Sequence, residues 1–372
     1  MGVPARGVDG ERQRIPGTLR PVPHRVFPMT LPKIDLRSDT VTKPAPAMLE
    51  AMLRAEVGDD VLGEDPTVAR LQSEAASMFG MPAALFCPSG TMTNQIAIRV
   101  HTRPGDEVIC SDLAHIYLYE GGGIAANSGA SVRLLSGDRG RFTAEAVQSA
   151  INKRTDAHLP WTRLVAIENT VNKGGGACWE FAELERIRSV CDAHDLAFHL
   201  DGARLFNALA ATGESPRRFG ALFDTISICL SKGLGAPVGS LLLGSTEQIA
   251  RAHRLRKLFG GGMRQAGYLA AAGLYALEHH LTRLVDDHAA ACAAAALLPS
   301  LPWVESVLPV ESNLVIFRLQ AGTRAEAVLA HLAHHGVQAS TMGSDLVRFV
   351  FHLDVPAGAV ERIHAAVRSF AG

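Results

Sequence analysis

No two cysteines stand in a CxxC pair, so neither a zinc ribbon nor a redox dithiol is supported. Cys87, Cys110, Cys178, Cys191, Cys229 and Cys292 are scattered, and at least three fall in apolar strand-like runs. That pattern reads as buried reduced thiols in a cytoplasmic enzyme. No uninterrupted apolar stretch reaches spanning length; the alanine-rich residues 289–298 are too short and read as a buried helix, so no membrane partner is expected. Neither sign of charge prevails, with 36 Lys plus Arg against 37 Asp plus Glu, which leaves no electrostatic ground for a nucleic-acid partner. The opening 28 residues, rich in Arg, Pro and Gly, lack the apolar core of a secretory signal. A weakly ordered extension is expected there, with Met29 as a candidate start. No GxGxxG opens the first strand–helix turn, which makes a nucleotide-binding Rossmann protein the weakest reading.

What the chain does contain is core. With 47% hydrophobic and 20% charged residues over 372 positions, it is expected to be globular. Short, nearly continuous apolar runs at 83–87, 107–110, 131–135, 164–168, 196–201, 225–230 and 240–243 alternate with helical patterns such as 67–79, 143–152 and 181–194. This predicts an α/β fold: a large domain (29–275) with a mostly parallel seven-stranded sheet covered by helices. A smaller C-terminal α+β domain (276–372) follows, with strands near 314–318 and 347–351.

Two strand-like runs deliver chemistry to one sheet edge. Residues 196–200 end in Asp201-Gly202-Ala203-Arg204, and residues 225–230 end in Ser231-Lys232-Gly233-Leu234-Gly235. An amine for a Schiff base and a carboxylate for a pyridinium nitrogen are what pyridoxal phosphate chemistry requires. A solvated lysine and a helix cap are the plainer alternatives for Lys232 and Asp201. Ser89-Gly90-Thr91 follows the first strand and opens a helix, a natural phosphate seat without the Gly-Lys-Ser/Thr ending of a Walker loop. Arg264, after three glycines, is a second phosphate candidate, reaching from a neighbouring element or subunit. His115 is placed to stack on a cofactor ring or to move a proton. His331 and His335 lack the acid of an HExxH pattern, and no metal site is expected.

Taken in order, 34–44 (Ile-Asp-Leu-Arg-Ser-Asp-Thr-Val-Thr-Lys-Pro), Gly63-Glu64-Asp65-Pro66, Pro88-Ser89-Gly90-Thr91-Met92, Glu168-Asn169-Thr170, Asp201-Gly202-Ala203-Arg204, Ser231-Lys232-Gly233-Leu234 and 260–267 resemble the threonine aldolase family of fold-type-I pyridoxal phosphate enzymes. The resemblance implies that Lys232 forms the Schiff base, Asp201 pairs with the ring nitrogen and His115 stacks over the ring. Ser38, Arg204 and Arg348 would hold the substrate carboxylate. It implies cleavage of a β-hydroxy-α-amino acid to glycine and an aldehyde, in a homodimer or homotetramer with sites at the subunit interface. β-Elimination or racemisation at the same site is the first alternative, and a cofactor-binding protein without turnover the second. The chain departs from the family pattern at two positions, Val171 in place of His and Leu62 in place of Tyr. Both predict a more apolar pocket, suited to a substrate bulkier than threonine.

Overall fold

The computed structural model describes, apart from Gly2, residues 32–371; the expected N-terminal extension and the candidate start at Met29 lie outside the described residues. Seven strands form one sheet: β1 (Ala83–Cys87), β2 (Asp106–Ser111), β3 (Ser131–Leu135), β4 (Trp161–Glu168), β5 (Ala197–Gly202), β6 (Thr225–Cys229) and β7 (Ser240–Gly244). Their order is β1-β7-β6-β5-β4-β2-β3. Every neighbouring pair is parallel except those of β7, which runs antiparallel to both β1 and β6. The stretch between β6 and β7 is too short for a parallel crossover, so β7 must turn back. Lys232 rides on that turn.

Both faces of the sheet are covered, which is why its central strands are buried at nearly every position rather than at alternate ones; β6 and β7 are buried throughout. Leu184, Ile187 and Cys191 of helix Phe181–His194 face the resulting core. At the amino end of helix Pro66–Phe79, the Asp65 carboxylate accepts from Val68 N–H (3.0 Å) and from Gly267 N–H (2.8 Å). A Cβ at Gly267 would lie 2.5 Å from that carboxylate, so only glycine permits the contact.

A second core gathers Val315, Phe317, Val347, Phe349 and Ile363 around a four-stranded antiparallel sheet built on Leu314–Leu319 and Leu346–Val350. The N-terminal strand Ile34–Asp35 joins this core by pairing in parallel with Val337–Gln338. Its neighbours are laced to the same body, with Val350 N–H bonded to Leu36 O (2.9 Å) and Leu36 N–H to Gln338 O (2.7 Å). All six cysteines are free; five are buried and Cys292 is exposed. Burial pushes the Cys87, Cys110, Cys178 and Cys191 thiols up to about 12, which makes them packing groups rather than nucleophiles. Among the described residues no helix is long and apolar enough to cross a membrane.

Candidate active site

Asp201 lies near the end of β5, opposite Ser227 of β6 and Glu168 of β4, and Lys232 follows β6 by three residues. The two groups therefore occupy the carboxyl edge of adjacent parallel strands, where open α/β sheets bind ligands. Asp201 is 2% exposed and makes no ion pair within 4 Å among the described residues. Its Oδ2 accepts from Asn94 Nδ2 (2.9 Å) and its Oδ1 from Ala203 N–H (3.2 Å). Two amide donors without a cation leave a buried negative charge open to a cationic ligand.

His115 opens a short helix, His115–Leu118, and its Nδ1 lies 3.1 Å from Glu120 Oε1. Ligand-type atoms of His115, Glu120 and Asp201 all fall within 4.8 Å of one another. The Asn94 amide bridges the two acids, donating to Glu120 Oε1 and to Asp201 Oδ2 at 2.9 Å each, and Gln95 Nε2 supplies Glu120 with a further donor (2.6 Å). Burial opposes the His115 imidazolium, yet the Glu120 hydrogen bond and the charges of Asp201, Glu168 and Glu120 outweigh it and raise the ring above its ordinary value. With Nδ1 engaged by Glu120, Nε2 is the ring atom free to act. Glu168, at the end of β4, accepts from His115 N–H and Asn172 N–H at 2.9 Å each. Burial and the Asp201 charge lift its carboxyl to about 7, against the pull of those two N–H groups.

Arg204 donates from Nε and Nη2 to the two oxygens of Asp39, 2.7 Å each, and this ion pair is buried. Among the described residues its Nη1 has no protein hydrogen bond. Arg348 has no carboxylate partner among the described residues. It donates to Asn172 Oδ1 and Arg37 O at 2.9 Å each, and its buried Nε is unpaired. Burial and the neighbouring Arg204 charge hold the Arg348 guanidinium below its ordinary value. Such a cation gains from an incoming carboxylate. Ser38 caps the turn Asp39–Val41, accepting from Thr40 N–H at 3.2 Å.

The Asp39–Arg204 pair carries a pH prediction. Burial raises the Asp39 carboxyl, but Arg204 overrides it and brings the group down to about 2. A depressed acid stabilises the fold above its unfolded value near 4, and that stability is lost as pH falls through about 2. Denaturation at a series of pH values should show Asp39→Asn already destabilised at neutral pH and losing less than the wild type on acidification.

Ser89 is the cap of helix Gly90–His101, accepting from Met92 N–H (3.2 Å). The Gly90 and Thr91 N–H groups in the first turn have no intrahelical acceptor and so present a seat for an anion. A Cβ on Gly90 would come within 2.5 Å of Cys229 Sγ, so glycine is what lets this turn lie against β6.

Three residues singled out from the sequence stand apart from this group. Arg264 pairs with Asp59 (2.6 Å) and its side chain is 60% exposed. Leu62 is 68% exposed in the turn Asp60–Leu62. Val171 is 1% exposed and packed in the large core, where a Cβ on Gly140 would come within 2.8 Å of it. Asn94, Glu120, Asp39 and Asn172 were missed by sequence reasoning. A signal was available for Asn94 alone, a polar residue inside the otherwise buried helix Gly90–His101.

The model of the beta-eliminating lyase family matches residues 35–321. Low-specificity L-threonine aldolase 1 of Arabidopsis thaliana is 42% identical over 330 residues, covering 87% of this chain and 92% of its own. The low specificity L-threonine aldolase of Escherichia coli K12 is 41% identical, covering 91% and 99%. Among solved structures, a threonine aldolase of Leishmania major superposes with a TM-score of 0.77 at 24% identity, over 90% of this chain and 98% of that one. At that identity it speaks for the fold.

Proposed function

Because the chain belongs to the threonine aldolases of the beta-eliminating lyase family, we propose that it cleaves the Cα–Cβ bond of a β-hydroxy-α-amino acid to glycine and an aldehyde, using pyridoxal 5'-phosphate. The observation that carries this reading is charge left open on two groups of the proposed site. Among the described residues Asp201 is buried with no ion pair within 4 Å, and the half-buried Arg348, on a strand of the smaller sheet, has a buried Nε without a hydrogen bond and no carboxylate partner.

Those residues fit the cofactor. Lys232 would hold it covalently, Asp201 would bind the ring nitrogen, His115 would lie against the ring, and Ser89, Gly90 and Thr91 would take the phosphate. Bound there, the cofactor supplies an electron sink for the pair released at Cα. Arg348, the free Nη1 of Arg204 and Ser38 would grip the substrate carboxylate. That grip selects which bond at Cα is aligned for breaking. His115 Nε2, its partner Nδ1 fixed by Glu120, would take the β-hydroxyl proton directly or through a water. The exposed Arg264 and Leu62 fit a homodimer or homotetramer in which this face meets a neighbouring subunit's site. The buried thiols fit a cytoplasmic location. The two hydrophobic cores support a large cofactor-binding domain within 29–275 and a smaller domain over 276–372, whose core Ile34 and Leu36 also join.

Product analysis of the cofactor-loaded enzyme with threonine, allo-threonine and phenylserine tests the proposal. Glycine and an equal amount of aldehyde are expected; pyruvate with ammonia, or the inverted amino acid, would overturn it. Replacing Arg348 by Gln should lower kcat/KM about 10- to 150-fold, mostly through KM, the scale of one lost charge-assisted hydrogen bond. Steady-state kinetics on the variant checks this.

A further inference from the structure

Asp201 is the last member of a chain of polar groups crossing the core. Asn94 Nδ2 meets Asp201, and Asn94 Oδ1 lies 3.2 Å from His199 Nε2. His199 Nδ1 lies 2.9 Å from Thr225 Oγ1, which lies 3.0 Å from His101 Nε2. His199 and Thr225 are 0% exposed. His101 borders a polar cavity that Arg188, Asp224 and Arg251 also line, away from the site.

The direction of each bond follows by elimination. Both Asn94 amide hydrogens point to carboxylates, Glu120 and Asp201, so its oxygen must face His199. Flipping the amide would set three acceptors together. His199 therefore donates from Nε2, and a neutral imidazole that donates there accepts at Nδ1. The alternative, an Nδ1–H aimed at Thr225 O (3.2 Å), would turn the Nε2 lone pair on the Asn94 oxygen. Thr225 spends its one hydroxyl hydrogen on His199 and so accepts from His101. Both rings stay neutral. Burial brings His101 down to about 4, with Arg251 adding to the effect and Asp224 opposing it, and burial with the His101 charge brings His199 to about 3.

We infer that His101, Thr225, His199 and Asn94 form a one-way hydrogen-bond relay that aims every donor at Asp201 and keeps it an oriented anion. Aligned donors polarise one another and strengthen the last bond, the one Asp201 receives. These are positioning residues, and the inference deepens the proposed role of Asp201 as the partner of the cofactor's ring nitrogen.

The test uses the full chain, first without cofactor. Imidazole nitrogen NMR at neutral pH should read His199 and His101 as neutral Nε2–H tautomers; an Nδ1–H tautomer at His199 overturns the relay. Thr225→Ser keeps the hydroxyl and should keep these tautomers. Thr225→Val should bind pyridoxal phosphate about 5-fold more weakly than Thr225→Ser, the scale of one net hydrogen bond. Equal dissociation constants would also overturn the relay. The tautomer reading needs neither substrate nor a folded Val variant, so it stands or falls separately from the reaction assigned above.

Discussion

In the Lys232→Ala variant, turnover should fall by at least about 10⁴-fold, the scale seen when a covalent-catalysis side chain is removed, while the fold persists. The persistence follows from what Lys232 does structurally. Among the described residues its hydrogen bonds run through its carbonyl, which accepts from Thr42 Oγ1 (3.1 Å) and Gly235 N–H (2.8 Å), and alanine keeps both, removing only a charge that helps hold the Asp39 carboxyl down. The side chain is only partly buried and takes no part in the hydrophobic cores. Glycine production under excess cofactor, visible absorption of the bound cofactor and the melting temperature should be measured together. A variant that keeps more than a tenth of wild-type turnover would remove Lys232 from the chemistry.

Asp201→Asn should lower kcat/KM about 10²- to 10³-fold, as expected when a preorganised electrostatic group is lost. Shape is nearly conserved, so packing is not the issue. What changes is the charge, together with the acceptor that either Asn94 Nδ2 or Ala203 N–H loses to the new amide nitrogen, and three consequences follow from the charge. The ring nitrogen of the cofactor loses its anion, and cofactor binding weakens. His115 loses one of the charges that raise its titration, so its apparent value falls. Glu168 loses the like charge that helps lift it to about 7, so its value falls as well. A raised acid costs stability as pH climbs from its unfolded value near 4.5 towards 7. Asp201→Asn should therefore flatten the loss of stability over that range, readable by denaturation at each pH. Unchanged kcat/KM together with an unchanged pH slope would contradict the assignment.

The sheet was legible because buried strands write themselves as continuous apolar runs. Residues 83–87 and 131–135 were delimited as observed, and the remaining strands shifted by one to three residues at their ends. Hydrophobic pattern carries no strand direction, so the reversal of β7 had to come from the length of its connection. The edge placement of Asp201 and Lys232 was legible for the same reason as the strands that carry them. Asn94, Glu120 and Asp39 were not, because a polar residue in a sequence does not announce its tertiary partner. His199 came nearest to giving itself away. An imidazole between Phe198 and Leu200, in a strand buried on both faces, requires hydrogen-bond partners. Val171 and Leu62 mark a further limit: a changed side chain says nothing about which way it points, and in the chain one faces the core and the other solvent.

The stretch from Ile34 to Asp39 begins as a strand paired with Val337–Gln338 and ends as the carboxylate that clamps Arg204. Along the way the carbonyl of Arg37 receives Arg348. Both guanidiniums proposed to hold the substrate carboxylate are thus bonded to one ribbon that starts in the C-terminal sheet. The proposed grip therefore spans both hydrophobic cores, Arg348 standing on a strand of the smaller sheet and Arg204 just past β5 of the larger, with this ribbon joining them.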